Sequence, residues 1–191
     1  MTRSAVFLDR DGTILVERDW IVRPEQVELE QAAVAGLQSL QRMGLPLIVI
    51  SNQSAVARGL LRVEDLELVH ARLRARLASH GVQLLDVLYC PHHPHEGVSV
   101  WRTECACRKP KSGLLHTAAQ LHGLDLSTSW LIGDALRDVQ AATQVACRAI
   151  LVRTGKGRAD EARVHSQLPQ VTIVDDLSAA AQHIELTATS A

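Results

Sequence analysis

Four short runs constrain the fold of this 191-residue chain more than any other feature: AVFL (5–8), LPLIVI (45–50), SWLIG (129–133) and RAILV (148–152). None alternates apolar with polar residues, so each reads as a strand buried on both sides. LLDVLY (84–89) and VTIV (171–174) read as further strands. Helical spacing fills the intervals. Val34, Leu37, Leu40 and Met43 recur over 32–44, closed by Gly44. Leu66, Val69, Leu73 and Leu77 recur from Val63 to about His80, closed by Gly81. Residues 113–123, 135–143 and 177–184 read as helices too. Strands alternating with helices require right-handed crossovers. The expectation is a three-layer, Rossmann-like α/β fold: a parallel sheet with helices on both faces. No repeat, low-complexity segment or linker divides the chain, so one domain is expected over 1–191, with a loose tail from about 186 to 191.

Bulk properties exclude several classes. Net charge is −1 and aromatics are 3% of residues, which offers neither a basic face nor a stacking platform for nucleic acid. No apolar run approaches the length needed to span a bilayer, and no apolar leader precedes the first strand. These features predict a cytoplasmic, monomeric protein with no membrane or nucleic-acid partner. In that compartment clustered cysteines point to metal rather than disulfides.

In a sheet of this kind ligands bind beyond the carboxyl ends of the strands. The segments found there are DRDGT (9–13), SNQS (51–54), CPHH (90–93), GD (133–134) and RTGKG (153–157). Asp9 and Asp11 stand two apart, and crowded carboxylates call for a compensating divalent cation. Asp134 offers a third oxygen ligand, Lys109 a positive charge, and Ser51 a hydroxyl. Amides after Ser51 could hold phosphate oxygens, which makes Asn52 a candidate substrate contact. Taken alone DRDG could be a mere turn; set beside the other residues, it reads as a phosphate site. An aspartate there can also act as a nucleophile.

FLDRDGT, VISNQS, RKP and LIGDALRD resemble, in order, the four motifs of the haloacid dehalogenase superfamily, over about residues 4–157. That resemblance implies a Mg²⁺-dependent phosphatase working through an aspartyl-phosphate. Asp9 would be nucleophile and magnesium ligand. Asp11 would be the general acid/base, with its backbone carbonyl on the metal. Ser51 and Lys109 would stabilise the phosphoryl group, and Asp134 would complete the metal site. Asp138 would hold a metal-bound water or a neighbour of the metal ligands, or would be a solvated helix residue. Such chemistry needs positioning and charge neutralisation above all.

The spacing Cys90-x-His92-x12-Cys105-x-Cys107 fits a closed tetrahedral, structural Zn²⁺ site, with His93 and His95 as alternative fourth ligands. Cys147 reads as an ordinary buried thiol. The loop has too little apolar content to order itself, so a metal could supply that energy and fix Arg108 and Lys109. The zinc loop narrows the resemblance to the D-glycero-D-manno-heptose 1,7-bisphosphate 7-phosphatases and the related histidinol-phosphate phosphatases. The long spacer, NQSAVARG and LVRTGKG favour the heptose type, which acts in lipopolysaccharide precursor synthesis. About forty residues separate the first two motifs, leaving no room for a large cap. By this resemblance Trp20 would face the sugar. Arg108 would bind a second phosphate, its plain alternative being a surface cation. Two departures bear on the substrate: ERDW at 17–20, and Ala135 where relatives often carry lysine. A histidinol-phosphate phosphatase and a nucleic-acid 3′-end phosphatase are the competing readings.

Overall fold

The computed structural model describes residues 3–189. Six parallel strands form one sheet: β1 (Val6–Leu8), β2 (Leu47–Asn52), β3 (Asp86–Cys90), β4 (Trp130–Gly133), β5 (Arg148–Val152) and β6 (Thr172–Val174). Their order is β3-β2-β1-β4-β5-β6. The chain therefore steps outward from β1 to β3, then returns to β4 on the other side of β1. This reversal opens a crevice between the carboxyl ends of β1 and β4.

Six helices cover the sheet: α1 (Ala33–Arg42), α2 (Val63–Ala78), α3 (Gly113–His122), α4 (Leu136–Thr143), α5 (Gly157–Gln167) and α6 (Leu177–Thr189). Strand alternation sorts the two sides. Val6, Leu8 and Val49 pack with Leu37, Leu40, Leu73 and Ile184 on one face. Phe7, Ile48, Ile50 and Leu131 pack with Leu114, Leu115 and Ala141 on the other. Each fully buried leucine or isoleucine contributes about 1.5–3 kcal/mol by leaving water. The three-layer expectation is thus met. Between β1 and α1 the chain forms only isolated bridges and a 3-10 turn at Pro24–Gln26, so no cap domain intervenes there. Among the described residues no helix is long and apolar enough to cross a membrane.

Several boundaries differ from the sequence reading. β2 and β3 run two and one residues further, so Ser51 and Cys90 lie within strands rather than after them. Helix α5 was not expected: only Gly157 and Val164 of it are buried, so no apolar stripe announces it. It is tied down instead by polar contacts, Arg153 to Glu161 at 2.7 Å and the Leu136 N–H to Asp160 at 2.8 Å. The expected loose tail is also corrected. α6 continues to Thr189, and of that tail residues 190–191 lie outside the described residues.

Candidate active site

Asp9 follows β1, Ser51 and Asn52 end β2, and Asp134 follows β4, so parallel pairing brings them to one rim of the sheet. Asp9, Ser51 and Asn52, together with Asp11, line a polar cavity of about 220 Å³. Asp9 is 3% exposed, and its Oδ1 accepts a hydrogen bond of 2.7 Å from Lys109 Nζ. The same ammonium reaches Asp138 Oδ1 at 2.8 Å and the Ile50 carbonyl at 2.7 Å. Lys109 is thus fixed by three oxygens, a fourth-motif residue among them.

One oxygen each of Asp9, Asp134 and Asp138 lies within 4.8 Å of the others. All three residues are buried. Burial opposes the charge of Asp9, but Lys109 and Arg137 outweigh it and hold this carboxyl below its usual value. Burial, Asp9 and Asp138 push Asp134 up to about 8. Burial raises Asp138 too, against the pull of Lys109. For Lys109, burial is the largest influence and favours the neutral amine, yet Asp138 and Asp9 together hold the charged form. Three carboxyl groups thus share the ammonium of Lys109 and the guanidinium of Arg137, and their crowding raises Asp134 and Asp138.

The set fits a divalent cation on a second observation. Asp134 Oδ1 is buried and makes no hydrogen bond, which is costly unless a ligand completes it. Asp134 Oδ2 accepts from the Lys156 N–H at 2.8 Å and lies so close to Gly12 (φ +81°) and Gly155 (φ +53°) that a Cβ at either would collide with it, which fixes the carboxylate and leaves Oδ1 as the orphan. Asp134, Asp9 and a backbone carbonyl such as that of Asp11 suit the oxygen preference of Mg²⁺. Asp138 is fully buried in this cluster, which removes the solvated alternative for it.

Asp11 turns its side chain to Arg10 instead. Arg10 donates to Asp11 Oδ1 at 3.0 Å and Oδ2 at 2.8 Å, and to Gln53 Oε1 at 2.9 Å. Gln53 Nε2 in turn bridges Asp11 Oδ2 at 3.0 Å and Ser51 Oγ at 2.7 Å. Arg10 is 1% exposed, and its far side meets His70 Nε2 at 3.3 Å. A guanidinium only donates, so that nitrogen accepts and His70 is neutral. Burial, Arg10 and Arg74 push its pKa down to about 3.

Several expected residues stand differently from the sequence reading. Asn52 Oδ1 accepts from the Lys109 backbone N–H at 3.0 Å, and Asn52 Nδ2 donates to the Lys109 carbonyl at 2.9 Å. It clamps Lys109 and also borders the cavity, where the expected substrate contact would form. Trp20 borders the cavity, but Arg58 covers one face of its ring at 5.1 Å, and Arg58 pairs with Glu96 of the cysteine loop. Arg108 borders the cavity, and its Nη1 donates to the His92 carbonyl at 3.0 Å. It is not a plain surface cation. Sequence reasoning missed Arg10, Gln53 and Arg137. All three sit inside recognised motifs, so their position was a signal; their direction was not.

The second cluster lies at the end of β3. Cys90, His92, Cys105 and Cys107 converge, whereas His93 Nδ1 accepts from the Glu96 backbone at 2.9 Å. Sulfur pairs lie 3.3 and 3.4 Å apart, and His92 Nδ1 is 3.5 and 3.7 Å from two of them. Disulfide sulfurs would be about 2.05 Å apart. A tetrahedron of ligands about 2.3 Å from a metal has edges of ~3.8 Å. Hydrogen bonding with Cys90, Cys105 and His92 holds the Cys107 thiol down to about 5 despite burial.

A family model described as HAD-hydrolase-like matches residues 106–180. A D-glycero-beta-D-manno-heptose-1,7-bisphosphate 7-phosphatase of Pseudomonas aeruginosa is 38% identical over 190 residues, covering 95% of this chain and 97% of the relative. An enzyme of the same name from Escherichia coli is 38% identical over 83% of each chain. Among solved structures, a D,D-heptose 1,7-bisphosphate phosphatase from B. bronchiseptica, complexed with magnesium and phosphate, superposes with a TM-score of 0.86. It is 30% identical, over 96% of this chain and 99% of that one.

Proposed function

The chain belongs to the haloacid-dehalogenase-like family that contains the heptose 1,7-bisphosphate 7-phosphatases, and on that footing we propose that it hydrolyses D-glycero-D-manno-heptose 1,7-bisphosphate at the 7-phosphate, with Asp9 as nucleophile. That it is a phosphatase follows from the family. The observation carrying the residue roles is the buried Asp9 carboxylate on the cavity wall, held ionised by Lys109 at 2.7 Å.

Asp9 attacks phosphorus and the alcohol leaves, giving an aspartyl-phosphate. Asp11 protonates the departing oxygen, then takes a proton from the water that hydrolyses the intermediate. Lys109 faces the equatorial oxygens, where charge accumulates. Asp9, Asp134 and the Asp11 carbonyl would hold Mg²⁺, which when bound neutralises phosphate charge and lets a carboxylate approach a dianion. Gln53 joins Ser51 to Asp11, so phosphate binding at the Ser51 hydroxyl and the acid/base are oriented by one amide. Cys90, His92, Cys105 and Cys107 would hold a structural Zn²⁺, with no open position for catalysis. Trp20 and Arg108 border the space left for the sugar and its second phosphate.

The test is phosphate release, with Mg²⁺, from the heptose bisphosphate and from histidinol phosphate side by side. The heptose 1-phosphate should be the product, at much the higher kcat/KM. Faster turnover of histidinol phosphate would reject the substrate.

A further inference from the structure

The cavity is bordered by the cations Arg10, Arg18, Arg108, Arg137 and Lys156, with Lys109 buried behind them. All but one are held by a hydrogen bond or a close ion pair. Arg10 holds Asp11 and Gln53, and Arg18 pairs with Glu28 at 2.6 Å. Arg108 donates to the His92 carbonyl, and Lys156 pairs with Glu17 at 2.8 Å. Lys109 bridges Asp9 and Asp138. Arg137, the second residue of α4, is the exception among the described residues. Its Nε is buried without a hydrogen bond, and its nearest carboxylate oxygen, on Asp138, lies 4.0 Å away. The side chain is 37% exposed, so a buried root carries a guanidinium that opens on the cavity. A buried donor left unfilled is destabilising unless a ligand completes it, and a guanidinium matches phosphate bidentately.

We propose that Arg137 is a catalytic residue that grips the phosphoryl group as Asp9 attacks it. The charge balance calls for such a cation. Lys109 already compensates two carboxylates, and a phosphate dianion entering beside Asp9, Asp134 and Asp138 adds two more negative charges. Arg137 lies on the side of Asp9 and Asp138, and its guanidinium, in a long 4.0 Å ion pair with Asp138, is the one whose buried Nε has no hydrogen bond. The inference rests on the phosphatase reading but not on the identity of the sugar.

The experiment uses Mg²⁺-saturated full-length protein and two variants, Arg137→Met, which keeps an apolar stem, and Arg137→Lys, which keeps the charge. Calorimetric titration with inorganic phosphate should show at least tenfold weaker binding in Arg137→Met and partial recovery in Arg137→Lys. The kcat/KM for p-nitrophenyl phosphate should fall about 100-fold in Arg137→Met, with the same factor for the heptose bisphosphate, and added guanidinium should restore part of it. A merely structural arginine would not give that rescue. Unchanged phosphate affinity in Arg137→Met, with Mg²⁺ binding altered, would mean that Arg137 only offsets the carboxylates, and would overturn the proposal. So would a loss confined to the bisphosphate, which would put Arg137 on the other phosphate. If wild type cleaves p-nitrophenyl phosphate but not the heptose compound, the substrate reading fails alone, because inorganic phosphate binding still reports on Arg137.

Discussion

Replacing Asn52 by alanine separates two roles that the sequence alone confuses. Its amide makes two bonds with the backbone of Lys109, 3.0 Å at the N–H and 2.9 Å at the carbonyl. Each such bond is worth about 1 kcal/mol net, so the variant should lose about 2 kcal/mol of stability. For a domain of this size that lowers Tm by roughly 4–8 °C. The larger effect should be on rate. Asn52 holds the strand end carrying Ser51 to the loop carrying Lys109, and Lys109 must meet both Asp9 and the transferring group. A displacement of about 1 Å in such a group can cost ~100-fold. The assay is steady-state kinetics on p-nitrophenyl phosphate and the heptose bisphosphate, beside thermal unfolding with Mg²⁺. If Asn52 acts through Lys109, kcat and kcat/KM should fall together on both substrates, with KM nearly unchanged. A raised KM with unchanged kcat would refute the clamp and restore Asn52 as a direct substrate contact.

Asp9→Asn should keep the fold and retain less than a hundredth of wild-type turnover, measured by phosphate release; activity above a tenth would remove Asp9 as nucleophile. Elemental analysis should find about one zinc per chain, and Cys105→Ser should lose it with a lower kcat and faster hydrogen exchange over residues 90–109. An unchanged kcat in a zinc-free variant would break the link from metal to Lys109. His70 has its folded pKa depressed to about 3 by burial and by Arg10 and Arg74. Its stabilising contribution is complete above about pH 6.5 and lost as pH falls toward 3, at up to ~1.4 kcal/mol per pH unit. His70→Gln, which keeps an acceptor for Arg10, should flatten that part of the stability-versus-pH curve; an identical acid slope would show that His70 titrates freely.

What the sequence disclosed follows from what each signal depends on. The strands were legible because burial on both sides forces unbroken apolar runs such as LPLIVI. Asp9 and Asp134 were legible because parallel strands deliver whatever follows them to one rim. Helix α5 was not, because polar contacts of Arg153 and Asp160 hold it rather than an apolar stripe. The C-terminal turn of α6 escaped for a similar reason: its buried stripe ends at Ile184, and the polar TATS that follows reads as coil. Spacing could not choose between His92, His93 and His95. The turn after Cys90 aims His92 at the sulfurs, whereas His93 accepts from the Glu96 amide.

Arginines mark the limit of that reading. Arg10, Arg58, Arg108 and Arg137 lie in or beside recognised motifs, and each is long enough to serve elsewhere. Arg10 turns inward to Asp11, Gln53 and His70, and Arg58 joins Trp20 to the cysteine loop through Glu96. The consequence is mechanical. Trp20, the loop after Asn52 and the cysteine loop form one wall, further tied by the Val98 N–H on the Ala57 carbonyl at 2.8 Å. A loop of low apolar content can therefore position Lys109 closely, because it is anchored at the end of β3 by Cys90, at its middle by residues 57–58 and at its end by Asn52. Loss of one anchor should be felt at the ammonium, since its three oxygen partners leave little freedom to re-aim a shifted backbone.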